Sequence, residues 1–201
     1  MTRIVLASRN PGKIAELQRI LVAAHLPATV VGAEVFSDLG DIPETGATFA
    51  ENAAHKAKVV AEHTGLIAVA DDSGLCVDAL NGMPGVLSAR WSGSHGDDAT
   101  NLQLVLDQLR DVPDERRTAG FTCAAAAFRP GDDPEVAVCE GEVRGQLLRE
   151  PRGDQGFGYD PIFVPDGDSR TTAQMSAADK DRISHRGRAL RELARTITPW
   201  L

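Results

Sequence analysis

Apolar residues recur along the first third of the chain in two rhythms. Residues 3–7 (RIVLA) form a short β-branched and apolar run, and the spacing of Ile14, Leu17, Ile20, Leu21 and Ala24 beyond it is helical. Between them lies the turn cluster Ser8-Arg9-Asn10-Pro11-Gly12-Lys13. The segment therefore reads as strand, tight loop and helix, with Asn10 as N-cap, Pro11 at the first helical position and the first-turn amides pointing back toward the loop. A second strand is predicted near residues 28–31, and residues 36–46 read as loop from their Gly, Pro and Asp content. Thr48 and Glu51 have capping-box spacing before a helix that runs to about His63 and stops at Gly65. Leu66 to Ala70 is a buried-type strand, predicted to end in the loop Asp71-Asp72-Ser73-Gly74. Strand ends of this kind are where α/β sheets place ligands.

The pattern then changes. A helix around residues 98–109 precedes two long predicted strands, residues 118–128 and 135–143, joined by Pro130-Gly131-Asp132-Asp133-Pro134. That connection is of hairpin type, so the pair is expected to be antiparallel. A glycine-rich stretch runs from Pro151 to Tyr159, a short apolar run covers residues 161–164, and helical spacing returns from about His185 to Ile197. No internal repeat or low-complexity linker interrupts the chain.

Composition narrows the classes of function. The 201 residues, 42% hydrophobic and 25% charged, suit one sizeable globular domain, alone or with a small lobe, and argue against disorder. With Lys plus Arg at 21 and Asp plus Glu at 29, the formal net charge is −8, and no Lys/Arg run concentrates the cations. A polynucleotide partner is therefore not expected, whereas a small phosphorylated ligand accompanied by a divalent metal is compatible. Cys76, Cys123 and Cys139 form no CxxC pair and suggest neither a zinc site nor a disulfide framework. The apolar run after Arg3 is too short for a secretory signal, and no stretch reaches the roughly 18 apolar residues of a membrane span. A cytoplasmic protein is expected.

Four clusters could carry chemistry. The loop from Ser8 to Lys13 puts a glycine, a lysine and a helix N-terminus together, an arrangement that binds phosphate. It is not a Walker A loop, which needs Gly where Ala7 stands and Ser or Thr where Ile14 stands. Asp71 and Asp72, with Glu44 upstream, offer oxygen ligands for Mg²⁺ and a carboxylate to orient water. Neighbours on an extended segment point in opposite directions, so the two aspartates need not share a role. Asn52 and Lys56 lie on one face of the capped helix. In Gly153-Asp154-Gln155-Gly156-Phe157-Gly158-Tyr159-Asp160-Pro161, glycines flank an aromatic ring able to stack on a planar ligand. His185 and Arg186 offer donors to a carbonyl-bearing base. Each cluster alone also has a plain structural reading as a turn, a cap or core. Together they match the parts of a nucleoside triphosphate.

The strings SRNPGK, ETGATFAENAAHKA, ADDSGLCVDALNGMPGVLSARWSG, FGYDPIF and SHRG, in this order, resemble the RdgB/inosine triphosphate pyrophosphatase (ITPase) family over residues 5–193. The resemblance implies a single α/β domain of two lobes, with a mixed sheet, a nucleotide site in the cleft between the lobes and a homodimeric assembly. It implies hydrolysis of ITP, dITP or XTP to monophosphate and pyrophosphate with Mg²⁺. Carried onto this chain, it makes Ser8, Arg9, Asn10, Pro11, Gly12 and Lys13 the triphosphate loop and Asp72 the general base. Glu44 and Asp72 become the metal environment, and Lys56 assists at the phosphates. Ser73 touches substrate, Phe157, Gly158, Tyr159 and Asp160 hold base and sugar, and Lys180, His185 and Arg186 complete the base pocket. Arg9, Pro11 and Trp91 depart from the residues common in the family. A pyrophosphatase of modified pyrimidine or methylated nucleotides and a nucleotide-binding sensor without turnover are the alternatives.

Overall fold

The structure, a computed structural model, describes residues 2–201. In chain order the main elements are β1 (Thr2–Leu6), α1 (Pro11–Ala23), β2 (Ala28–Gly32), α2 (Phe49–Thr64), β3 (Ile67–Val77), α3 (Asp98–Gln108), β4 (Thr118–Arg129), β5 (Glu135–Leu147), β6 (Phe163–Pro165), α4 (Ala177–Ile183) and α5 (His185–Thr196). Six strands form one sheet in the order β2-β1-β3-β4-β5-β6. β1 pairs in parallel with β2 and with β3, whereas β5 and β6 are antiparallel. Only residues 130–134 connect the neighbouring strands β4 and β5, too few for a parallel crossover, so that pair is antiparallel as well. The sheet is mixed, as expected.

The chain divides into two compact units. Unit 1 comprises Met1–Asp72, Cys123–Gly141 and Arg186–Leu201. Residues 4–6 of β1 and 67–72 of β3 are buried on both faces, and the period of two sorts their side chains. Ile4, Leu6, Ile67 and Val69 pack with Leu17 and Leu21 of α1 and Leu190 and Leu193 of α5. The intervening Val5 and Ala68 pack instead with Val60 and Ala61 of α2. Truncating a buried leucine such as Leu21 costs about 2–5 kcal/mol, because the lost transfer energy adds to a cavity.

Unit 2 comprises Ser73–Thr122 and Glu142–His185. Leu75 and Val77 pack with Leu102 and Val105 of α3, Val143 and Leu147 of β5, and Tyr159, Ile162 and Phe163. Arg117 is buried here, its guanidinium donating to the carbonyl oxygens of Leu109, Leu147 and Leu148. It ties the end of α3 to the end of β5.

Both caps read from sequence are present. Asn10 Oδ1 accepts from the Gly12 and Lys13 amides, and Thr48 with Glu51 closes a capping box before α2, which ends at a left-handed Gly65. The main departure is β3. Strand pairing and burial carry it through Asp71-Asp72-Ser73-Gly74 to Val77, so the acidic pair is not in a loop after a strand end. Its turn-forming residue types misled the reading. Gly74 is there for close approach, since a Cβ would lie 2.4 Å from both Gly85 O and Ser88 Oγ. α4, capped by Ser176, was not anticipated. Among the described residues, no helix is long and apolar enough to cross a membrane.

Candidate active site

The alternation that sorts the core of unit 1 also sorts its acidic pair. Asp71 falls in phase with Ile67 and Val69, toward α1 and α5; Asp72 falls in phase with Ala68 and Ala70, toward α2. Asp71, whose side chain is 2% exposed, accepts from Lys13 Nζ at 2.8 Å, and Arg186 Nε lies 3.5 Å from the same oxygen. Burial alone would raise this carboxyl, but Lys13 and Arg186 outweigh it and hold it below the usual carboxylate range. Arg186 also reaches Glu16 at 3.3 Å. Neither Nε nor Nη2 of Arg186 makes a hydrogen bond, although both are buried.

Asp72 belongs to a separate group on α2. Its Oδ2 accepts from Asn52 Nδ2 at 2.9 Å, and its Oδ1 lies 3.6 Å from Lys56 Nζ. Lys56 also donates to Glu44 at 2.7 Å. Asn52 and Lys56 can both reach because they sit one helical turn apart. Asn52 is buried and uses both ends of its amide, Oδ1 accepting from Gly46 N–H at 2.8 Å, so one side chain fixes both Asp72 and the loop that carries Glu44.

The Ser8 to Lys13 loop is internally braced. Ser8 Oγ accepts from Asn10 N–H, and Arg9 donates to Asp41 and to the Leu39 carbonyl. Asn10 itself takes the Gly12 and Lys13 amides, so these two donors serve the N-cap read from the sequence. Lys13 is paired with Asp71, and the helix dipole favours an anion at this end of α1.

Unit 2 holds the other residues. Ser73 is the exposed residue of β3. Phe157 is 76% exposed, and Lys180 Nζ lies 5.1 Å from its ring centroid. Tyr159 is buried in the core with its hydroxyl donating to Ser88 O at 2.8 Å, and burial pushes its phenol up. Asp160 is also buried, and its carboxylate accepts from Lys180, Thr172 Oγ1 and the Phe157 amide. Gly158 N–H donates to Asp98 at 2.8 Å. His185 stacks on Phe121 with centroids 5.2 Å apart. Arg186, the next residue, pairs with Glu16 and Asp71.

The Ham1 family model matches residues 4–196. The chain belongs to the Ham1 family. It is 55% identical to a Streptomyces coelicolor protein named dITP/XTP pyrophosphatase, over 100% of both chains. It is 58% identical to a Nocardia farcinica protein of the same name, over 96% of this chain and 93% of the relative. A solved Ham1 protein from Coxiella burnetii is 45% identical with a TM-score of 0.90, covering 99% of this chain and 100% of that one. A nucleoside-triphosphatase, or dITP/XTP pyrophosphatase, from Mycobacterium abscessus superposes with a TM-score of 0.81 at 54% identity, over 96% of this chain and 98% of that one. The resemblance read from the motifs is borne out at the level of family and fold.

In this Ham1-family chain, the donor set of unit 1 suits a hard cation. Glu44 and Asp72 turn carboxylate oxygens to one ammonium, that of Lys56. No group of three His, Cys, Asp or Glu able to hold a metal occurs among the described residues, and two carboxylates are what Mg²⁺ takes when phosphate oxygens and water supply the rest. Sequence reasoning missed Glu16, Asp98, Ser88, Phe121 and Thr172. Glu16 lies three positions after Lys13 on α1, so helical spacing could have found it; for Asp98 no local signal existed. A pocket of about 300 Å³ in unit 2 is lined by Leu106, Arg110, Arg117, Arg149 and Pro151 among others and contains none of the candidate residues.

Proposed function

We propose that this protein hydrolyses dITP, XTP and ITP to the nucleoside monophosphate and pyrophosphate. Asp72 carries the reading: a buried carboxylate held at one oxygen by Asn52, beside a lysine that it shares with Glu44. Relatives at 55% and 58% identity bear the name dITP/XTP pyrophosphatase, which supports the first two of these substrates.

Asp72 orients a water molecule and takes its proton as the water attacks the α-phosphorus, and Asn52 keeps the carboxylate in place. Glu44 and Asp72 would hold Mg²⁺, which when bound supplies charge neutralisation at the phosphate oxygens. Lys56 and Lys13 stabilise negative charge on the leaving pyrophosphate. Arg186, whose Nε and Nη2 lie near Asp71 and Glu16 without making a hydrogen bond, offers donors to a substrate oxygen. In unit 2, Phe157 stacks on the base, and Lys180 and His185 donate toward the purine 6-carbonyl. Adenine places an amino group there, which leaves those donors unpaired and is rejected. Ser73 and Gly158 contact the nucleotide, while Tyr159 and Asp160 shape the loop.

We read the enzyme as cytoplasmic and homodimeric. The net charge of −8 supports a nucleotide rather than a polynucleotide substrate. Light scattering at twice the chain mass is the result expected of a dimer. The function is tested by incubating the protein and Mg²⁺ with dITP, XTP, ITP, GTP and dUTP and separating the products. Monophosphate and pyrophosphate from the first three are expected; diphosphate and orthophosphate, or turnover of dUTP alone, would overturn the reading.

A further inference from the structure

The loop that presents Phe157 is rich in backbone freedom. Gly153, Gly156 and Gly158 take φ values of 87°, 79° and 60°, and glycine has many competing conformations. Two consecutive amides in it are nevertheless captured by carboxylates. Phe157 N–H donates to Asp160 at 2.8 Å, and Gly158 N–H donates to Asp98 at 2.8 Å. These N–H groups belong to the two peptide planes on either side of the Phe157 Cα, so fixing both fixes the direction in which the ring leaves the backbone. Asp160 is local and closes over Gly156, where a Cβ would meet its Oδ2 at 2.2 Å. Asp98 comes from 60 positions away, in the first turn of α3.

We infer that Asp98 is a positioning residue for the base platform: by holding the Gly158 amide it sets the orientation of the exposed Phe157 ring. This rests on the reading of Phe157 as the surface on which the base stacks. The competing account is that Asp98 serves only α3, where a first-turn carboxylate favours the helix dipole. The cap itself does not need it, since Asp97 already accepts from Thr100 N–H at 3.1 Å. An exposed carboxylate spent on a loop amide that lies outside its own helix is what a role in the loop requires.

The test compares Asp98→Ala with Asp98→Asn in the full chain. Both remove the charge that favours the dipole, but asparagine keeps an oxygen that can accept from Gly158 N–H. With dITP and Mg²⁺, Asp98→Ala is expected to raise KM about three- to tenfold at unchanged kcat, and Asp98→Asn to recover most of that loss. Equal falls in Tm for both variants with KM unmoved would overturn the inference in favour of a helix-only role. Amide exchange at Gly158, followed by NMR without nucleotide, separates this from the functional reading. Faster exchange in Asp98→Ala but not in Asp98→Asn supports positioning, and equal exchange in all three proteins overturns it. Absence of dITP hydrolysis by the wild type would remove the functional reading alone, with the exchange rates still deciding for or against Asp98.

Discussion

The two units hold their polar groups in opposite ways. In unit 1 the polar and charged side chains hang mainly from regular elements: Lys13 and Glu16 on α1, Asn52 and Lys56 on α2, Asp71 and Asp72 on β3, and Arg186 on α5. In unit 2 the exposed ring of Phe157 hangs from a glycine loop that is itself pinned through its amides. The first arrangement fixes charge by geometry already present in the core, which suits a step whose rate depends on the placement of a proton acceptor. The second fixes a surface for stacking, where a small change in ring angle alters affinity more than rate. Variants of unit 1 should therefore act chiefly on kcat, and variants of unit 2 on KM.

The largest effect is expected at Asp72. Asp72→Asn removes the proton acceptor while keeping an oxygen near Asn52, and kcat should fall about 10³-fold with nucleotide affinity largely retained. Near-normal kcat would remove Asp72 from that role. Lys13→Ala should lower kcat/KM about 10²-fold for a triphosphate while leaving binding of inosine little changed, as measured by inhibition. Equal losses for both ligands would place Lys13 outside phosphate recognition. Phe157→Ala should raise KM about tenfold for each purine substrate at constant kcat, since stacking on one aromatic ring is worth ~1–3 kcal/mol. With the ring 76% exposed, Tm should hardly move, and a clear drop in Tm would mean that the ring is structural.

The smallest effect concerns Asp71, whose neighbours hold its carboxyl below the usual range. A carboxyl with a depressed folded-state pKa contributes stability that is present above the unfolded value of about 3.9 and lost as pH falls through the folded value. The Tm difference between the wild type and Asp71→Asn should therefore be constant from pH 8 to about pH 5 and shrink only below about pH 4. A difference that disappears near pH 6 would contradict the Lys13 and Arg186 assignment.

The same contrast explains what the sequence made legible. Helical spacing and caps located α1 and α2 closely, and the alternation along an extended segment left Asp71 and Asp72 free to take separate roles, because regular elements impose their geometry on neighbours a few residues apart. The run Asp71-Asp72-Ser73-Gly74 looked like a turn because those residue types favour one. Strand pairing and burial, which depend on distant segments, overrode that preference. In the loop of unit 2 the alternatives for Phe157 and Tyr159 stayed open, and the structure divides them, leaving one exposed and the other in the core. Asp98 was invisible because its partner is a backbone amide, which leaves no complementary side chain in the sequence to notice. The placement of Arg186 beside Glu16 required knowing that α5 packs on the same face of the sheet as α1.

The proposed hydrolysis depends on water, oriented by Asp72, attacking the α-phosphorus. Hydrolysis of dITP in water enriched in ¹⁸O, with the products resolved by mass spectrometry, tests this most directly. The predicted result is label in the deoxyinosine monophosphate and none in pyrophosphate; label in pyrophosphate, or release of labelled orthophosphate, would contradict it.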